Sequence, residues 1–364
     1  MWLTNRIKRV PPGVIKTQML AVLVFVLFGC KEETSPTHTS DAEGNSDRVL
    51  RIYFTNPALS TDAPEHPANV IARYIDQTEH DLEVCAHELD SEVITKAIVR
   101  AHRRGVRVRV VVETSNKEGQ CIRRLHEEGI PIVDDGWEGA LMHNKFLVFD
   151  GKAVWTGSMN FTENCTSRND NHGIYVGDER VAENYHRKFS WLFEQRKFGG
   201  KPGKNSRIPY PQVSLKDGTI VETYFAPDDR PAGKIVEQIR KATKSVHFLA
   251  FSFTHPGIAD AILERASKGI EVRGVLERRQ AIAGHSMYSK FLIGGPAVHV
   301  YLDGNKYNMH HKVIIVDRAV TVAGSFNFSI GADRDNDENV LIIHSEAVAR
   351  QFESEFQRVM AQSR

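Results

Sequence analysis

Two stretches of this chain are copies of one another, and that duplication constrains the fold more than any other feature. The run LEVCAHELDSEVITKAIVRAHRRGVRVRVVVE from Leu82 returns 164 positions later as VHFLAFSFTHPGIADAILERASKGIEVRGVLE from Val246. Further on the offset becomes 167. MHNKFLVFDGKAVWTGSMNF from Met142 then matches MHHKVIIVDRAVTVAGSFNF from Met309, and Tyr185 and Phe189 fall onto Phe352 and Phe356. In each copy an apolar strand leads to an amphipathic helix, Ile94 to Arg104 and Ile258 to Lys268. Gly105 and Gly269 close these helices before a second β-rich run. The pattern predicts an α/β fold of two equivalent repeats, 49–195 and 219–364, with mostly parallel sheets and helical faces. The Gly-, Pro- and Lys-rich stretch 196–218 reads as the linker between them.

Length and composition agree. A chain of 364 residues, 41% hydrophobic and 26% charged, is long enough for two cores and excludes disordered, collagen-like and coiled-coil classes. The net charge of +1 is uneven: residues 1–30 hold Arg6, Lys8, Arg9 and Lys16 and no acid, so the rest carries −3. That excludes a strongly basic coat binding nucleic acid by counterion release alone.

The first thirty residues read as an address. Met19 to Phe28 is a ten-residue apolar run, too short for the ~20 residues that a membrane-spanning helix needs, behind a basic segment. Leu27-Phe28-Gly29-Cys30 resembles a bacterial lipobox, which makes Cys30 a lipidation site; a plain signal peptide or an uncleaved anchor is the alternative. Residues 31–48 are polar and aperiodic, a flexible tether. The protein is then expected on the extracytoplasmic face of a membrane, the outer one where a cell has two, because Lys31 rather than an acid follows Cys30. Three cysteines remain, Cys85, Cys121 and Cys165. One pair is open to oxidation in that compartment, or Cys85, in an apolar run, is a buried thiol; their spacing makes no zinc site.

The chemistry-bearing residues stand in a fixed pattern. His143, Lys145, Asp150, Gly157, Ser158 and Asn160 form H-x-K-x4-D-x6-G-S-x-N, and His310, Lys312, Asp317, Gly324, Ser325 and Asn327 repeat it without a slip. Six fixed letters arise by chance about once in 6 × 10⁷ starting points. Phe146 to Phe149 and Val313 to Val316 read as buried strands, so each His and Lys, two apart, project from one face at the strand's start. Imidazole beside ammonium suits an anionic phosphate. Gly157-Ser158 lets backbone approach a ligand, and Ser158, Asn160, Ser325 and Asn327 supply neutral donors for phosphoryl oxygens. Asp150 and Asp317 follow their strands, where a turn role and a catalytic role are both open.

The doubled pattern resembles the phospholipase D superfamily, in which paired HKD motifs cleave phosphodiesters, and the resemblance covers almost all of the chain after the tether. It implies two α/β/α repeats packed about a pseudo-twofold axis, bringing both motifs to one cleft. One neutral His attacks to form a phosphohistidine and the other, protonated, donates to the leaving alcohol; water then releases the product. Lys145, Lys312, Asn160 and Asn327 would hold the phosphorus, with no metal or cofactor. A carboxylate or amide 28 residues after each His is expected to hydrogen-bond a catalytic His. The partners either serve their own copy or cross between copies; in the first arrangement, the one favoured, Glu338 stabilises an imidazolium at His310, the acid, and Asn171 orients a neutral His143, the nucleophile.

The superfamily hosts several activities. The membrane tether favours hydrolysis of phospholipid to phosphatidic acid and free head group. Cleavage of DNA or RNA is the rival, with Arg100, Arg103, Arg104, Arg107 and Arg109 as a local basic patch, or else a solvated helix C-terminus. Phosphatidyl transfer, as in cardiolipin synthesis, differs only in acceptor. A non-catalytic binding protein would show a broken motif, and neither copy is broken. With both motifs in one chain, a monomer suffices.

Overall fold

The computed structural model describes residues 49–136, 139–199 and 207–363; the leader with Cys30 and the tether lie outside these residues. In the first repeat the strands are β1 (Leu50–Phe54), β2 (Asp81–Ala86), β3 (Arg107–Val112), β4 (Ile132–Asp134), β5 (Lys145–Phe149), β6 (Ala153–Gly157) and β7 (His172–Val176). In the second they are β8 (Gln212–Ser214), β9 (Ile220–Ala226), β10 (Ser245–Ala250), β11 (Glu271–Leu276), β12 (Val298–Leu302), β13 (Lys312–Val316), β14 (Val320–Gly324) and β15 (Glu338–His344). The sheets run β1-β7-β6-β5-β2-β3-β4 and β12-β11-β10-β13-β14-β15-β9-β8.

The sheets are mixed rather than mostly parallel. Only β2–β3, β3–β4, β10–β11 and β11–β12 pair in parallel, where helical crossovers return the chain. The strands that carry the motifs pair antiparallel with their neighbours, β2–β5–β6–β7 and β10–β13–β14–β15. The physical reason is connection length. Only a turn separates β5 from β6 and β13 from β14, and a turn joins antiparallel strands, whereas a parallel pair needs a crossover of a dozen residues or more.

The duplicated helices form over Glu92–Arg103 and Pro256–Ala266, and Gly105 and Gly269 follow with φ of +92° and +81°. The stretch read as a linker is partly sheet: β8 pairs with β9, and Val213 and Leu215 are buried. Between the sheets lie the closing helices, Glu179–Phe193 and Glu346–Ala361. Their Tyr185, Phe189, Phe352 and Phe356 are fully buried in one apolar cluster with Phe146 and Val148 of β5 and Val313 and Ile315 of β13. Burying each such side chain stabilises by about 1.5–3 kcal/mol, so the shared cluster welds the repeats together. Cys85, Cys121 and Cys165 are free, buried thiols.

Two short bridges tie the repeats at the site itself. Met142 pairs with Asp337 and Met309 with Asp170. The His143 N–H donates to the Asp337 carbonyl at 3.0 Å and the His310 N–H to the Asp170 carbonyl at 2.8 Å. Each motif is therefore hydrogen-bonded to the segment that ends in the other repeat's β7 or β15.

Candidate active site

His143 and His310 sit immediately before β5 and β13, whose first residues are Lys145 and Lys312. All four are buried, and each lysine Nζ donates to the carbonyl of its own histidine, at 2.6 Å for Lys145 and 2.8 Å for Lys312. Strand geometry sets this arrangement: residues two apart share a face. Burial, then the positive charge of both lysines, pushes His143 and His310 well below the ordinary imidazole range. Glu338 touches Ser325 of the second motif and His143 of the first, and Asn171 touches Ser158 and His310, so the two motifs form one site. Burial also pulls Lys145 down to about 8 and Lys312 well below its ordinary value. Concentrated buried cations of this kind are what a bound anion relieves.

The histidine partners cross between repeats, contrary to the same-copy expectation. His143 Nδ1 lies 2.8 Å from Glu338 Oε2, and His310 Nδ1 lies 2.9 Å from Asn171 Oδ1. The reason is the pair of bridges above. Hydrogen bonds from Asp337 and Asp170 to the opposite motif aim the next residue, Glu338 or Asn171, across the axis. Burial raises Glu338 to about 8, against the pull of Lys145, Ser325 and Lys312.

Ser158 and Ser325 are committed to these partners rather than open to a phosphate. Ser325 Oγ donates to Glu338 Oε2 at 2.5 Å and accepts the Asn339 N–H; Ser158 Oγ donates to Asn171 Oδ1 at 3.0 Å and accepts the His172 N–H. Their role is to fix the groups that fix the histidines. The preceding glycines serve the same packing, not approach of a ligand. A Cβ on Gly157 would lie 2.3 Å from the His172 carbonyl oxygen, and one on Gly324 2.3 Å from that of Asn339. Asn160 is partly spent as well, because its Nδ2 donates to Glu88 Oε2 at 2.6 Å. Asn327 gives its amide to no group among the described residues, and its Oδ1 is buried without a partner there.

Asp150 and Asp317 do not join the histidines. Each lies beyond the far end of its five-residue strand, roughly 15 Å of chain away at ~3.3 Å per residue. Asp150 accepts the N–H groups of Glu79, His80 and Asp81 at 2.7–3.0 Å, and Asp317 those of Thr243, Lys244 and Ser245 at 2.7–3.1 Å. Both stand at turn positions with φ near +50°, and both clamp the chain entering β2 and β10. The third letter of each motif is structural here.

Behind the histidines the halves differ. Asn144 and Asn339 pair across the axis at 2.8 Å; the equivalent pair is His311 and His172, Nδ1 to Nδ1 at 3.1 Å, with His311 Nε2 on Glu355 at 2.9 Å. Sequence reasoning missed this layer, although the letters at 144 and 311, and at 172 and 339, could have been set side by side. The arginines proposed as a nucleic-acid patch are spent on neighbours. Arg100 and Arg104 pair with Asp76, Arg103 with Glu128, Arg107 with Asp81, and Arg109 with Glu83 and Glu194. Among the described residues no three or more His, Cys, Asp or Glu are grouped to hold a metal ion.

Comparison with known proteins agrees with this geometry. Residues 71–193 and 235–360 each match the family model of the cardiolipin synthase, PLD-like domain. Over 149 residues the chain is 31% identical to a phospholipase D of Rickettsia prowazekii, covering 41% of this chain and 71% of that protein. It is 29% identical over 178 residues to a mitochondrial cardiolipin hydrolase of Chlamydomonas reinhardtii, covering 42% of this chain and 78% of that one. In fold it resembles the solved phosphatidylserine synthase of Haemophilus influenzae Rd KW20, with a TM-score of 0.63 at 14% identity over 82% of this chain and 84% of the other. With a match in each repeat and the two motifs meeting in one buried site, the chain belongs to the phospholipase D superfamily of phosphodiesterases.

Proposed function

We propose that the protein hydrolyses phospholipid to phosphatidic acid and a free head group through a phosphohistidine on His143, with His310 as general acid. The observation that carries the assignment of roles is the crossed pair, Glu338 behind His143 and Asn171 behind His310. A nucleophilic imidazole gains positive charge as its Nε2 bonds to phosphorus. A carboxylate behind Nδ1 stabilises that state more than the ground state, and only such differential stabilisation accelerates a step. Behind an acid the same carboxylate would hold the proton back. Asn171, a neutral amide, orients His310 without opposing release of its proton to the leaving alcohol. His310, deprotonated by the first step, then activates the water that attacks the phosphohistidine, and phosphatidic acid leaves.

Lys145 and Lys312 would neutralise the phosphoryl oxygens, with the Asn327 amide as a further donor. The bound anion raises the proton affinity of His310, which burial and the lysines otherwise depress. Lipid rather than nucleic acid is supported by the ion-paired arginines. It is also supported by the lipobox-like Cys30, which would tether the enzyme to its substrate surface.

The test uses full-length protein in detergent micelles with EDTA throughout, offered mixed phospholipid and, separately, single-stranded DNA. Head-group release that disappears in His143→Ala and His310→Ala is expected. An acid-labile phosphoryl group on the His143 peptide should accumulate in His310→Asn given a phosphodiester with a p-nitrophenol leaving group, which departs without an acid. Strand scission without head-group release would replace lipid by nucleic acid, and a phosphoryl group found on His310 would reverse the roles.

A further inference from the structure

The site has two walls built on the same backbone but from different chemistry. His87 follows β2 and Phe251 follows β10, at equivalent positions. The His87 N–H donates to the Asn144 carbonyl at 3.0 Å and the Phe251 N–H to the His311 carbonyl at 2.9 Å. The next residues, Glu88 and Ser252, each accept at 3.2 Å from a backbone N–H, that of Phe161 or Phe328. The ring of His87 packs edge-on against His143 with centroids 4.6 Å apart, and that of Phe251 does the same against His310, also at 4.6 Å. All four residues are part-exposed where most of the site is closed.

The His87–Glu88 wall is rich in hydrogen-bond acceptors. His87 Nδ1 lies 3.3 Å from the Met142 carbonyl, which fixes the proton there and leaves the Nε2 lone pair without a partner among the described residues. Burial and the charge of Lys145 keep this ring neutral. Glu88 Oε2 accepts from the Asn160 amide, and its Oε1 takes no hydrogen bond among the described residues. A carboxylate at the edge of a site for an anionic phosphodiester repels the phosphate, so it is matched only by a cation elsewhere on the substrate. The opposite wall offers a phenyl ring, already faced by Lys312 Nζ at 4.7 Å, and a short hydroxyl.

From these juxtaposed walls we infer that His87 and Glu88 form a subsite for a primary ammonium on the substrate, making the enzyme selective for ethanolamine-type phosphodiesters over choline-type ones. The inference rests on the phospholipid reading above. Two acceptors, one of them anionic, suit an N–H-bearing cation, whereas a trimethylammonium group has no N–H to give them. With its O–C–C–N torsion gauche, an ethanolamine ammonium lies beside the phosphate rather than in line with the scissile bond, where a wall flanking His143 can meet it.

The experiment compares phosphatidylethanolamine and phosphatidylcholine of identical acyl chains in mixed micelles, using full-length protein, with bis(p-nitrophenyl) phosphate as a diester lacking any head group. The variants are the double substitution His87→Phe, Glu88→Ser, which installs residues that the opposite wall already accommodates, and the conservative Glu88→Gln. The wild type is expected to favour ethanolamine in kcat/KM by about tenfold or more. The ratio should fall below about threefold in the double variant and by most of its value in Glu88→Gln. A wild-type ratio near one, or a ratio that survives the double variant, overturns the subsite. Cleavage of the nitrophenyl diester by wild type but not His143→Ala, without turnover of either lipid, overturns the subsite and the lipid reading while leaving a phosphodiesterase. Silence towards all three overturns both.

Discussion

Glu338 of the second repeat lies 2.8 Å from His143 Nδ1 of the first, held there by Ser325 Oγ at 2.5 Å. Each half of the active site is thus completed by the other repeat, and the two halves are chemically unequal because the returning residue is a carboxylate on one side and an amide on the other.

Glu338→Gln keeps the shape and removes the ionisable carboxyl behind the nucleophile. We expect kcat to fall by about 10²–10⁴, the range seen when a carboxylate behind a catalytic histidine becomes an amide. The loss should be alike for p-nitrophenyl and alkyl leaving groups, since the attack rather than the departure is impaired. A deficit that vanished with p-nitrophenolate would instead place Glu338 in the acid step.

Lys145 makes a pH prediction with two opposite signs. Burial holds it at about 8 in the folded protein, below its ordinary value of 10.5. The unfolded chain therefore binds the extra proton between these values, so this group makes the free protein more stable as pH rises from about 8 towards 10.5. Anion binding needs the proton and weakens over the same interval. Thermal shift with tungstate should show about 2.7 kcal/mol of stabilisation at a hundred times Kd near pH 7, shrinking above pH 8, and much reduced in Lys145→Met.

Asp150→Ala and Asp317→Ala should lower stability while leaving kcat near wild type. Each substitution strands three backbone N–H groups, worth about 1–3 kcal/mol where no water replaces the carboxylate. Burial raises both carboxyls, but the backbone hydrogen bonds outweigh it and hold them below the usual range. Their stabilisation is therefore present above the ordinary carboxyl pKa and is lost as pH falls through the depressed folded value. Acid unfolding of Asp150→Asn should accordingly be less steep. A collapse of kcat with unchanged melting would return these residues to the catalytic machinery.

Gly324→Ala should cost more than about 1 kcal/mol. Its φ of +146° disfavours any side chain, and the added Cβ would meet the Asn339 carbonyl oxygen at 2.3 Å. Because Ser325 follows directly and positions Glu338, kcat should fall together with the melting temperature; a variant as stable as wild type would show that the β14–β15 contact can relax.

Much of this was legible in the chain. The repeated H-x-K announced two histidine–lysine pairs at the starts of buried strands, because a two-residue spacing on a strand leaves one geometry. The duplication announced two α/β units, and Tyr185, Phe189, Phe352 and Phe356 their closing helices. The motif aspartates were ambiguous for a physical reason: a carboxylate that caps backbone amides and one that touches a reacting group leave the same letter. The sequence placed Ser158, Ser325 and Gly157 against a ligand, whereas the serine hydroxyls bond Asn171, Glu338 and the strand backbone beside them, and Gly157 packs against that backbone, partners that no spacing along the chain reveals.

What the sequence by itself determined is local: which residues alternate on a strand, where a helix stops, and that each half carries an imidazole, an ammonium and an amide or carboxylate. Only the tertiary structure decided who holds whom. The carbonyls of Asp337 and Asp170 accept the backbone N–H groups of His143 and His310 across the axis, and those contacts between distant parts of the sequence hand Glu338 to His143 and Asn171 to His310. Sequence records identity at each position, whereas the pairing follows from how two sheets pack around a shared apolar cluster, and that packing is set by many side chains acting together.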